Sequence, residues 1–273
     1  GTTKVVNGHP VWTGAVNIAP DSILTAPLKW RRPRRIFVNS MSDLFHEAVP
    51  DAWIDRVFRV MSGASLHTFQ ILTKRPERMR DYMSDPTLHA RVRFKARPPW
   101  PLPNVWLGVS VEDQRRADER IPLLLDTPAA VRWCSAEPLL GPLDLTRIVL
   151  IPSDHPERGK PDVSINALTG WLGSSAADMA RLDWVVAGGE SGPGARPANP
   201  QWFRDLRDQC AAAGVPYLHK QNGEWVSVSE VAGDGPHHRF ADGRTVRRIG
   251  KKAAGRLLDG VIHDGYPEAR PHG

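Results

Sequence analysis

Apolar positions along this chain fall into two rhythms. Six short runs of β-branched and apolar residues each close on polar ones: Arg35–Ser40 (RIFVNS), Thr68–Lys74 (TFQILTK), Val105–Val111 (VWLGVSV), Val131–Glu137 (VRWCSAE), Asp183–Glu190 (DWVVAGGE) and Pro216–Gln221 (PYLHKQ). Such runs suit strands buried on both faces of a parallel sheet. Between them the period becomes helical. In Asp51–Ala64, Trp53, Ile54, Val57, Phe58, Val60 and Met61 form one face behind Pro50. Asn199–Ala213 has a capping Asn199, Pro200 in the first turn and Gly214 as a left-handed stop. Gln114–Leu125 is a third helix. Strand and helix alternating at this rhythm predict βα units with right-handed crossovers.

The fold class expected is therefore α/β, a parallel (βα) barrel or partial barrel, with a doubly wound open sheet as the alternative. Residues 1–225 read as the barrel domain. Within them, Asn7–Gly8 marks an early hairpin turn, and the Pro-, Ser- and Gly-rich stretch 152–173 reads as a surface insertion. Residues 226–273 read as a loop-rich basic extension that folds back at Asp242–Gly243.

Composition narrows the function. The 273 residues include only two cysteines, Cys134 and Cys210, so there is no disulfide framework, no CxxC pair and no cysteine set for an iron–sulfur cluster. His46 and His67 lack clustered partners and read as packing or surface residues rather than metal ligands. No run reaches the roughly 18 apolar residues of a membrane span, and the N-terminal residues lack a signal-peptide layout, so a cytoplasmic protein without a membrane partner is expected. The net charge of +6, from 36 basic and 30 acidic residues, suits an anionic partner.

In βα folds ligands gather at the C-terminal ends of the strands. Those ends are polar here. They offer Ser40, Met41, Ser42 and Asp43; Lys74 and Arg75; Ser110 and Glu112; Ser135 and Glu137; Gly188, Gly189 and Glu190; and Lys220 and Gln221. Glu112, Glu137, Glu190 and Lys220 are the candidates for chemistry, and the others, Ser135 apart, for holding a cofactor. The run GGESGPG at 188–194 is neither a P-loop nor a GxGxxG fingerprint; it allows close backbone approach to a ligand or is simply a tight turn.

Longer motifs sharpen the picture: RRPRRIFVNSMSDLFHE at 31–47, HTFQILTKRPERM at 67–79, PNVWLGVSVEDQ at 103–114, CSAEPLLGPLDL at 134–145, WVVAGGESGPGARP at 184–197, HKQNGEW at 219–225 and GKKAAGRLLDG at 250–260. Together they resemble a phage-associated family of uncharacterised proteins, named after phage gene products, that carries an N-terminal three-cysteine motif similar to that of radical S-adenosylmethionine enzymes. The resemblance implies a TIM-like, radical-SAM-like barrel. For a complete member it implies a [4Fe–4S] cluster and S-adenosylmethionine, with the 40–43 loop facing the cofactor's amino-acid end. This chain lacks the cysteine segment, so it is expected to bind no cluster and to be inactive in the radical sense. The substrate implied is an unidentified small molecule or nucleic acid. Two rival readings remain: a non-catalytic module binding nucleic acid or another anion through Arg31–Arg35 and Arg244–Arg256, and a barrel hydrolase working through Glu112, Glu137 or Glu190.

Overall fold

The computed structural model describes residues 3–6, 9–12, 16–40, 42–94, 99–151, 162–172 and 179–268. All six predicted strands are present: β1 (Arg35–Val38), β2 (Thr68–Thr73), β3 (Val105–Ser110), β4 (Val131–Ala136), β5 (Trp184–Gly188) and β6 (Tyr217–Gln221). They hydrogen-bond into one sheet in the order β6-β5-β4-β3-β2-β1, with parallel pairing registered for β1 with β2, β4 with β5 and β5 with β6. The order is sequential. A doubly wound sheet reverses its strand order at a switch point, so that alternative is ruled out. Among the described residues β1 and β6 do not pair with each other, so of the two barrel forms the partial one applies.

Among the described residues the helices of eight residues or more are α1 (Asp51–Gly63), α2 (Pro76–Met83), α3 (Gln114–Asp126) and α4 (Pro200–Ala213); α1, α3 and α4 are those expected from the sequence, and α2 is additional. In α1, Ile54, Phe58 and Met61 form the buried stripe, and in α4 Phe203, Leu206 and Cys210 do so. Asn199 caps α4 by accepting the Gln201 N–H, and Gly214 ends it at a φ of 65°. The Asn7–Gly8 turn lies outside the described residues, although Thr3–Val6 and His9–Trp12 on either side pair antiparallel. Much of the expected insertion also lies outside them. Its described part is ordered as strands Val163–Asn166 and Trp171–Leu172, which extend Ile148–Ile151 into a small antiparallel sheet.

The chain forms two compact units. One comprises residues 1–107 with 127–130, the other 108–126 with 131–273. In the first, the buried amide of Asn104 donates to the carbonyls of Met61 and His67, each at 3.1 Å, and so fastens the end of α1 beside the start of β3. His67 is buried against the Pro27 carbonyl at 3.0 Å, which accounts for this histidine structurally.

In the second unit the helix side of the sheet is apolar. His219 of β6 lies edge-on to Phe203 of α4, their ring centres 4.8 Å apart, and Cys134 and Cys210 are buried there. Burial raises both thiols, Cys210 to about 12, so neither is a thiolate at neutral pH. On the opposite side Trp133, Trp184 and Tyr266 stack in series at 5.2 and 4.8 Å. Gly108 carries no Cβ because one would overlap the Trp133 ring.

The C-terminal segment closes the outer edge of β6. His219 N donates to His263 O at 3.0 Å, Gly265 N to Tyr217 O at 2.9 Å, and the Trp184 indole to Gly265 O at 2.8 Å. A small sheet of β7 (Trp225–Ser227), β8 (His237–Arg239) and β9 (Thr245–Arg248) precedes that segment, with Gly243 in the predicted turn.

His219 is tied to this closure. Asn222 uses its amide N–H groups on the carbonyls of Ala254 and Leu257, at 2.8 and 3.1 Å, so its oxygen faces His219 Nε2 at 2.9 Å and that nitrogen carries the proton. Burial holds the imidazole down to about 4, so it stays neutral in the folded protein. The unfolded chain protonates this histidine near 6.5 and the folded chain only near 4, so stability is full above pH 6.5 and falls as pH drops through that window. The expected loss attributable to this group is about 3 kcal/mol. Urea titrations between pH 7 and 4.5 measure it, and His219→Gln, which has no group titrating there, should flatten the profile.

Candidate functional site

In the first unit, β1 ends at Asn39, whose φ of 66° turns the chain out of the sheet. Ser40 and Ser42 are exposed beyond it, and Met41 lies outside the described residues. Asp43 is fully engaged. Its Oδ1 accepts from Phe45 N at 2.9 Å and Thr73 Oγ1 at 2.7 Å, and its Oδ2 from Lys74 N at 3.0 Å and an Arg75 N–H at 3.1 Å. Arg75 also reaches Glu47 at 3.1 Å. Asp43, Lys74 and Arg75, expected from the sequence to contact a cofactor, are joined in a clamp between the loop after β1 and the end of β2. His46 accepts the Ala48 N–H at 3.1 Å, as a turn residue does.

The second unit brings four candidate positions together. Ser135 of β4 pairs with Val186 of β5, so two residues further on Glu137 shares a face with Gly188. Glu137 Oε2 accepts from Lys220 Nζ at 3.1 Å and from Ser135 Oγ at 3.3 Å. Its Oε1 is buried and accepts no hydrogen bond from the protein. A Cβ at Gly188 would overlap that oxygen, so glycine is what lets the carboxylate lie over the end of β5. Lys220 is 59% exposed at its side chain while Glu137 is 15% exposed. A solvated ammonium therefore stands beside a largely desolvated carboxylate.

The other two candidate carboxylates are matched by arginines that sequence reasoning did not single out. Glu112 pairs with Arg120 of α3 at 3.0 Å, and the same guanidinium takes the Ser110 carbonyl at 2.7 Å. Arg120 left no local sequence signal, because it meets Glu112 only when α3 folds back along β3. Glu190 accepts two Arg196 side-chain N–H groups, at 2.9 and 2.8 Å, and the Arg196 backbone N–H at 2.7 Å. The guanidinium holds the Glu190 carboxyl below its ordinary value. Here a signal existed, since both residues stand in one glycine-rich run.

That run has a packing origin at Gly189. Its N–H donates to the Gln221 carbonyl at 2.9 Å, the Gln221 side-chain amide returns to the Gly189 carbonyl at 3.2 Å, and a Cβ at Gly189 would strike the Asn222 carbonyl. Gly223 faces Glu190 backbone as closely from the other side. Glu224 completes the crossing by accepting the Gly192 N–H at 3.0 Å. Gly189 and Gln221 therefore lock two loops together, while Gly188, Ser135, Glu137 and Lys220 form a polar cluster in which only Lys220 is well exposed.

Two substitutions test this division. Asp43→Asn leaves one acceptor for four donors and turns an amide N–H toward others; it should cost about 2–4 kcal/mol, read as a lower urea midpoint at unchanged slope. Gly189→Ala meets a backbone carbonyl that cannot swing aside and should destabilise by about 1–3 kcal/mol, seen as a melting temperature several degrees lower.

No similar curated protein and no similar solved structure was found. Residues 2–267 match one family, described as proteins of unknown function, DUF5131. The match takes in β1 to β6, the Glu137 cluster and the C-terminal segment over β6, so the chain is a member of the DUF5131 family.

Proposed function

We propose that this chain is the ligand-binding sheet of a radical-SAM-like enzyme domain, and that a polar small molecule docks on Glu137 and Lys220 over Gly188. One observation carries the reading. Glu137 Oε1 is buried and unbonded at the C-terminal end of a central strand, and a carboxylate oxygen in that state wants a donor. The adjacent Lys220 Nζ is exposed and offers a positive charge. A ligand bearing an N–H or ammonium beside a carboxylate satisfies both, as the amino-acid end of S-adenosylmethionine would. The family resemblance in the motifs at 31–47 and 184–197 points the same way.

An iron–sulfur cluster does not fit the described residues. Cys134 and Cys210 are buried with raised thiols, and no group of three or more His, Cys, Asp or Glu among those residues could hold a metal. The roles assigned to this chain are therefore binding and orientation: Glu137 takes the donor, Lys220 the anionic group, and Ser135 steadies Glu137. The hydrolase reading is less well supported. It needs a carboxyl kept protonated near neutral pH, whereas Glu112, Glu137 and Glu190 each have a cation and Glu190 is pushed the opposite way.

Calorimetric titration with S-adenosylhomocysteine tests the proposal. The wild-type chain should bind, and Glu137→Gln and Lys220→Met should each weaken binding about tenfold or more, as loss of a charged contact does. Gly188→Ala, whose new methyl meets only the movable tip of Glu137, should weaken binding while leaving the melting temperature within a few degrees. No binding by wild type, or binding indifferent to all three changes, would reject the site.

A further inference from the structure

The net charge of +6 is concentrated in one part of the chain. Residues 236–256 carry seven Lys or Arg against the single acid Asp242, leaving 29 basic and 29 acidic residues over the rest, out of 36 and 30 in all. This stretch is contiguous in the fold as well: β8, β9 and the short helix Lys251–Ala254 follow one another. Cross-strand register sets Arg247 opposite His237, and Arg239 lies two residues along β8 from His237, so the three share one face of the sheet. All of β8 is exposed, as are Lys251 and Lys252.

Elsewhere in the protein arginines such as Arg75, Arg78, Arg91, Arg120 and Arg204 are matched to carboxylates. Within this stretch Arg244 pairs with Asp242 at 3.0 Å, Arg256 with Asp264, and Arg248 approaches Glu224 only to 3.9 Å. Arg239, Arg247, Lys251 and Lys252 meet no carboxylate among the described residues. Arg247 is oriented instead by its Nε–H, which donates to His237 Nε2 at 3.1 Å. Beside them the exposed His238 ring lies edge-on to Phe240 at 4.6 Å.

We infer that this face is a docking surface for a nucleic-acid backbone. Four cations that meet no carboxylate among the described residues, two on one face of the small sheet and two on the short helix that follows it, suit a polyanion whose charges repeat along a line. A membrane surface would call for apolar side chains among the cations, and no large exposed apolar residue falls within 236–256, the exposed Leu257, Val261 and Ile262 following that stretch. The inference uses no residue of the Glu137 cluster and stands or falls independently of it.

Fluorescence anisotropy with a labelled 20-nucleotide single strand and the matching duplex tests the inference on the full chain, with phosphatidylserine vesicles and poly-glutamate as alternative anions. Four phosphate contacts predict a logarithmic salt slope near −3, hence roughly 50-fold weaker binding between 50 and 200 mM salt. Replacing Arg239, Arg247, Lys251 and Lys252 by Gln should bring that slope near zero with an unchanged melting temperature. Arg115→Gln with Arg116→Gln, on α3 beside Glu119, should leave binding as it was. Absence of nucleic-acid binding, equal binding of vesicles or poly-glutamate, or equal loss in the α3 variant would overturn it.

Discussion

Charge at the end of a buried strand must be answered locally, and that constraint shapes both units of this protein. A carboxylate drawn out of water loses hydration that only cations or N–H groups replace. Asp43 is answered by two backbone amides, a hydroxyl and Arg75. Glu112 and Glu190 each have an arginine. Glu137 is the exception, because only one of its oxygens is met. The first three carboxylates are answered within the chain, and the incomplete shell at Glu137 is the one that the proposed ligand would complete.

Glycine makes that distinction possible. Gly188 and Gly189 are adjacent and both lack space for a side chain, yet the obstacle differs. At Gly188 it is the tip of the Glu137 side chain, which the glycine admits to the strand end. At Gly189 it is the main chain of Asn222, so there the glycine serves loop packing. Asn222 in turn donates directly to the carbonyls of Ala254 and Leu257, and its partner His219 donates its backbone N–H to His263 in the cover over β6, an edge that would otherwise present unpaired backbone groups. The strand end that carries Lys220 is thereby fixed by the C-terminal residues, far away in sequence.

Much of the fold was legible in the sequence, because its signals are local. Apolar runs of strand length, the helical spacing in α1, the Asn199 cap and Gly214 stop, and the turn at Asp242–Gly243 each depend on a few neighbouring residues. The list of polar strand ends was legible for the same reason: parallel strands all present the same end. The Glu190–Arg196 pair was also within reach, six residues apart in one turn.

The sequence by itself determined six strands, their connecting helices and the residues found at the strand ends. Tertiary structure alone decided that the strands lie in sequential order in a partial barrel, and that Glu112 pairs with Arg120. It also showed that Asp43 is bonded on both carboxylate oxygens and Glu137 on only one. The reason is physical. Strand formation depends on spacing along the chain, whereas an oxygen's supply of hydrogen bonds depends on residues tens of positions apart: 83 between Glu137 and Lys220, 30 between Asp43 and Thr73.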